Sequence, residues 1–172
     1  MAQQPADGHA DGAALVARER AKRPGMALAL GPPVPDTNAP RVLVIDDDPD
    51  NRDSIQALVE YFGYECGIAA DGPSGLKRFE AHTWDLVITD LTLPGMTGWQ
   101  VIDAIRGRAP GVPVIVITGV DDPSVRTRAR QCQVSLLLKP FDLDVLKAAL
   151  VDALYARAPF PRTPGRLPAP CG

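Results

Sequence analysis

This 172-residue sequence offers little for covalent stapling. Its three cysteines, Cys66, Cys132 and Cys171, form no C-x-x-C pair and leave an odd thiol, which indicates neither a disulfide framework nor a zinc site. No apolar run reaches the roughly 18 residues needed to span a bilayer, and the N-terminus lacks the basic-then-apolar pattern of a secretory signal. A strong basic excess is also missing. Lys and Arg number 18 against 21 Asp and Glu, a net charge of −3, which argues against a dedicated nucleic-acid binder. The expectation is a cytoplasmic chain in a reducing setting, with no membrane contact. What the sequence does have is apolar content, 45%, enough for a real core.

Proline divides the chain. Of 18 prolines, six fall in residues 1–40, five in 158–172 and seven between. Residues 1–40 alternate Ala, Gly, Asp and Pro and cannot bury enough apolar surface to offset their ordering entropy, so they read as a disordered arm. Within it, Ala13 to Arg23 reads at most as a transient helix with a basic end. Residues 158–172 read as a Pro-rich disordered tail. The domain is expected over 41–157, where 12 basic and 17 acidic residues leave a net charge of −5.

In that segment strand and helix signals alternate. Arg41–Ile45 is a nearly continuous apolar run, the pattern of a strand covered on both faces. Asp48-Pro49 supplies a helix cap followed by Pro at the first helical position, and Ile55, Leu58, Val59 and Phe62 follow at helical spacing until Gly63. Further strands are expected over Tyr64–Ala69, Trp84–Thr89, Pro113–Ile117 and Val134–Leu138. Helices are expected after Asp71, after the loop Leu91–Thr97, after Asp122-Pro123, and from Phe141 to about Arg157. Five strands alternating with five helices imply an α/β fold, a five-stranded parallel sheet with helices on both faces, doubly wound in the flavodoxin-like manner. Such sheets bind ligands beyond the carboxyl ends of their strands.

Those ends carry Asp46, Asp47 and Asp48 after the first strand, Asp90 after the third, Thr118 after the fourth and Lys139 after the fifth. Asp48 reads as the helix cap, which leaves Asp46 and Asp47 free. Carboxylates gathered in one pocket repel, and a hard divalent cation such as Mg²⁺ relieves the repulsion. A carboxylate beside Mg²⁺ and a lysine stays ionised, and carboxylates accept phosphoryl groups. Each residue alone has a bland reading: a turn aspartate, an ordinary strand threonine, a solvated lysine. All of them falling at strand ends is far less ordinary.

Four stretches then carry a resemblance. They are Val42–Pro49, Asp85–Gly98, Pro113–Gly119 and Leu136–Phe141. In this order and spacing the chain, over about 41–157, resembles the CheY-like receiver domain of bacterial two-component response regulators. The resemblance implies Asp90 as phosphoacceptor, and Asp46, Asp47, Asp90 and the Thr92 main-chain carbonyl as holders of Mg²⁺. It implies Thr118 as the switch hydroxyl, Lys139 as the phosphoryl contact, and a cis Lys139-Pro140 peptide. Gly95 and Gly98 fit a tight loop that calls for positive φ. The implied phosphoryl donor is a histidine kinase or a histidine phosphotransfer protein. The chain departs from the family at Leu136, where a switch aromatic is usual, and at Gln131-Cys132-Gln133, where Gly-Ala is usual.

Only fifteen residues follow Arg157, so the expectation is a stand-alone receiver that acts by protein contact through the face of its fourth helix, fifth strand and fifth helix, without direct DNA binding. Arg126, Arg128 and Arg130 on the fourth helix read as a solvated face or as a docking surface for an acidic partner. The chain is not expected to be an enzyme with a separate substrate. The alternatives are a receiver-fold scaffold or adaptor independent of phosphorylation, a hydrolase with an aspartyl-phosphate intermediate, and a nucleotide binder. The hydrolase wants a second Asp where Thr92 stands. Acids rather than glycines after the first strand repel a bare phosphate.

Overall fold

The structure, a computed structural model, describes residues 39–155. The expected arm, its transient helix and the Pro-rich tail fall, except for Ala39 and Pro40, outside the described residues. The order is β1 (Arg41–Ile45), α1 (Pro49–Tyr61), β2 (Glu65–Ala69), α2 (Gly72–Ala81), β3 (Leu86–Asp90), α3 (Gly98–Arg108), β4 (Val114–Thr118), α4 (Pro123–Gln131), β5 (Ser135–Leu138) and α5 (Leu143–Tyr155). The strands form one parallel sheet in the order β2-β1-β3-β4-β5. The expected alternation and fold class are both present.

Alternate strand residues build two apolar layers. Leu43 and Ile45 of β1 and Val87 of β3 face Phe79 of α2 and Val101, Ile102 and Ile105 of α3. Val42, Val44, Leu86 and Ile88 face Ile55, Leu58 and Val59 of α1 and Leu146 and Leu150 of α5. Both faces of the central strands are covered, which is why their sequences are continuously apolar.

Helix starts follow their caps. Asp48 accepts from the Asp50 and Asn51 amides at 2.9 and 3.3 Å. Asp71 accepts from Ser74 at 2.7 Å, and Asp122 from Ser124 at 2.7 Å. Thr97 and Gln100 form a reciprocal capping box at α3. These side chains satisfy amides that have no partner within the helix.

The boundaries differ from expectation in ways that matter. Asp90 and Thr118 are the last paired residues of β3 and β4, not the first residues beyond them, with Asp90 opposite Ile117 and Thr118 opposite Leu138. Their backbones are thus fixed by the sheet. Trp84 and Asp85 precede β3. The Trp84 indole N–H donates to the Arg78 carbonyl at 3.1 Å, and the Asp85 carboxylate accepts from the Arg41 amide at 2.9 Å. Lys139-Pro140 is cis, as the resemblance implied, and Gly95 has φ +75°. Gly98 is needed for a different reason than expected: a Cβ there would overlap the Asp90 carbonyl oxygen. Cys66 is a free thiol.

Candidate phosphoacceptor site

β1 has β2 on one side and β3 on the other, so the strand order reverses between β1 and β3. Connections leave toward opposite faces there and open a crevice at the strand ends. Asp46 follows the last residue of β1 and Asp90 ends β3, on the two sides of that crevice.

Asp46 is 2% exposed and held from several sides. Its amide donates to the Ala69 carbonyl at 3.1 Å, extending the sheet. Its Oδ1 accepts from the Asp48 amide at 3.0 Å, and its Oδ2 from Lys139 Nζ at 3.1 Å. The same ammonium donates to Asp90 Oδ2 at 2.7 Å, while Asp90 Oδ1 accepts from the Thr92 amide at 2.9 Å. Lys139 reaches there because β5 delivers it: its amide continues the ladder to the Thr118 carbonyl at 2.8 Å. One lysine thus joins two carboxylates 44 positions apart in sequence.

Burial pushes the Asp46 carboxyl above its ordinary value, against the pull of Lys139. Lys139 shows the opposite balance. Burial pulls its pKa down, but its hydrogen bond to Asp90 and the charges of Asp46 and Asp90 outweigh that and raise it. Lys139 is therefore a firm cation, and Asp46 a carboxylate under desolvation strain.

Not every expected residue joins this group. Asp47 is exposed beside it. The Thr118 side chain is buried, and its hydroxyl accepts from the Val120 amide at 3.2 Å, facing the β4–α4 loop. Thr92 is exposed, with its amide already given to Asp90. Among the described residues, no three His, Cys, Asp or Glu side chains are gathered closely enough to hold a metal. The donor chemistry nevertheless fits a hard cation. Asp46, Asp47, Asp90 and the Thr92 carbonyl offer only oxygen, and a buried, desolvated carboxylate at Asp46 favours added positive charge.

Sequence reasoning missed Arg52. Its NH1 donates to the Asp46 carbonyl at 3.0 Å, clamping the β1–α1 loop from the first turn of α1. The available signal was a cation four residues beyond Asp48, one helical turn above the acidic run.

A doubly wound sheet whose switch point holds two carboxylates bridged by a lysine defines a class of strand-end acid sites. Comparison with known proteins makes it specific. The response regulator receiver domain family matches residues 42–151, and the chain belongs to that family. Among relatives, it is 32% identical over 110 residues to the sensor protein EvgS of Escherichia coli K12, covering 63% of this chain and 9% of that one. It is 35% identical over 119 residues to the transcriptional regulatory protein GlrR of the same organism, covering 69% and 27%. Among solved structures, the response regulator TrrA of Thermotoga maritima, in complex with Mg²⁺–BeF, aligns with TM-score 0.62 and 30% identity, covering 67% of this chain and 99% of that one. The chain spans under a third of the length of these curated relatives. Some of them are transcriptional regulators, so the expectation against direct DNA binding has no support among them. Among the described residues, no helix is long and apolar enough to cross a membrane.

Proposed function

We propose that Asp90 accepts a phosphoryl group from the phosphohistidine of a histidine kinase or histidine phosphotransfer protein, in a Mg²⁺-dependent reaction in the cytoplasm. The observation that carries this reading is the single Lys139 ammonium donating to both Asp46 and Asp90. It fixes the Asp90 carboxylate in place at the open end of the sheet. An Asp90 oxygen forms the bond to phosphorus as the bond from phosphorus to the histidine nitrogen breaks, and the imidazole leaves. Such transfer asks chiefly for positioning and charge neutralisation. Asp46, Asp47, Asp90 and the Thr92 carbonyl would hold Mg²⁺, which neutralises phosphoryl oxygens when bound. Lys139 binds a further oxygen by giving up part of its hold on the acids. The Thr118 hydroxyl turns from Val120 toward the new group and draws the β4–α4 loop with it. The domain has no separate substrate in this reading. Its output is a protein contact through the groove of about 520 Å³ between α4 and α5, lined by Arg126, Arg130, Leu136, Phe141 and Val145.

Incubation with a small phosphodonor and Mg²⁺ tests this. Labelling is expected in the wild type and absent in Asp90→Asn or after chelation; persistence of label in Asp90→Asn would sink the assignment. Leu136, half-buried at the position of the usual aromatic, favours a second reading, a scaffold whose contacts ignore phosphorylation. It predicts equal partner binding by wild type and Asp90→Asn.

A further inference from the structure

α4 is anchored by few apolar side chains, with Val125 half-buried against the core. α4 has the sequence Pro-Ser-Val-Arg-Thr-Arg-Ala-Arg-Gln and buries only Ala129. α3, beside it, buries Gly98, Val101, Ile102 and Ile105. A charged side chain also ties α4 to α3. The Arg128 guanidinium lies over the Trp99 ring at 4.9 Å, and its NH2 stands 3.8 Å from Asp103 Oδ2. Trp99 and Asp103 are one helical turn apart on α3, so a single planar cation meets both. Both Arg128 and Trp99 are half-buried, which makes the stack worth more than an exposed one.

Trp99 also stands next to the reacting strand. It directly follows Gly98, whose amide donates to the Leu91 carbonyl at 2.9 Å and where an added Cβ would overlap the Asp90 carbonyl oxygen. The backbone of the phosphoacceptor, the first turn of α3 and the Arg128 side chain are therefore in continuous contact. At its other end, α4 is tied to the β4–α4 loop by Arg126, whose Nε donates to Asp121 at 2.8 Å. That pair is exposed and solvent-screened, so it is the weaker hold.

We propose that Arg128 is a positioning residue, a latch that keeps α4 in its resting place by stacking on Trp99 and pairing with Asp103. Release of this latch accompanies the change that Asp90 undergoes, and its strength sets how readily the domain switches. The proposal rests on the phosphoacceptor reading for its trigger, but the latch itself is measurable without any ligand.

The test uses the full chain, with Arg128→Gln, Asp103→Asn, the double variant, and Arg128→Lys as the conservative change. Amide exchange over 123–131 is read first, without ligand. Faster exchange in both single variants, by about 3- to 10-fold, with no further gain in the double variant, is expected for residues acting as one unit. Arg128→Lys keeps the charge but loses the planar stack, so it falls between. Next, Mg²⁺ with beryllium fluoride is titrated and followed by tryptophan fluorescence. Because the latch favours the resting form, its loss is expected to tighten beryllofluoride binding by a similar factor. Exchange at α4 unchanged in folded variants, additive effects in the double variant, or weaker beryllofluoride binding would each overturn the latch. No beryllofluoride binding by the wild type would instead overturn the phosphoacceptor reading, and the exchange result would still decide the latch.

Discussion

At the residue scale, Lys139 and Asp46 set opposite demands. Lys139 neutralises two carboxylates, so it competes with any other cation there. Lys139→Met is expected to bind Mg²⁺ more tightly, by about fivefold, the worth of roughly 1 kcal/mol for a unit charge some 4 Å away in a water-like medium. Isothermal titration would show it, and weaker binding would mean that the lysine positions the acids more than it competes. Asp46 has an unusual sign. Its folded pKa is raised, first by burial, so the folded state holds the proton more tightly than the unfolded chain does. Its contribution to stability is therefore largest below the ordinary carboxylate value of 3.8 and is lost as pH rises through its folded pKa. Function runs the other way, because the protonated acid is useless for holding a cation. Mg²⁺ affinity measured by titration against pH is expected to weaken toward acid as Asp46 takes up its proton, and Asp46→Asn is expected to bind Mg²⁺ more weakly than the wild type at neutral pH. Cys66 is simpler: burial, with Glu60 nearby, pushes its thiol up to about 12. Alkylation at pH 8 should be slow in the native protein and rapid after unfolding.

At the element scale, what the sequence made legible was the starts of the first four helices and each apolar strand, while the last helix, expected from Phe141, begins at Leu143. Asp48, Asp71, Thr97 and Asp122 cap because amides at a helix start need acceptors, a purely local requirement. Strand ends were less legible. Asp90 and Thr118 look like first loop residues because polar side chains follow apolar runs, but the ladder continues through their backbones whatever their side chains are. Gly98 shows a similar limit. Its neighbourhood suggested a turn glycine, whereas the reason is contact with a strand end eight residues away. Gly98→Ala is expected to cost about 1–3 kcal/mol in urea unfolding, since either α3 or the Asp90 peptide must shift. The contrast in burial between α3 and α4 also predicts an order of opening, with α4 amides exchanging well before those of α3.

At the scale of the whole molecule, the site couples distant segments, so filling it should stabilise the fold. Asp46 and Lys139 are 93 positions apart, and their meeting needs β1, β3, β4 and β5 in register. A ligand bound only by that assembled edge adds about 2.7 kcal/mol at a hundredfold excess over its dissociation constant. For a domain near this size that is roughly 10 °C in melting temperature. Mg²⁺ with beryllium fluoride should produce the shift in the wild type and not in Asp90→Asn, as read by calorimetry.

Local patterning was enough to determine the alternation of strand and helix, the caps, and the kinds of group at the strand ends, because each depends on neighbours within a turn or two. Tertiary structure decided which of those groups meet. Lys139 lands on both Asp46 and Asp90, Arg52 clamps the Asp46 carbonyl, and Arg128 lies across Trp99. It also left Asp47 at the surface and turned Thr118 toward Val120. Such meetings depend on strand order and helix packing, which residue periodicity does not encode one contact at a time.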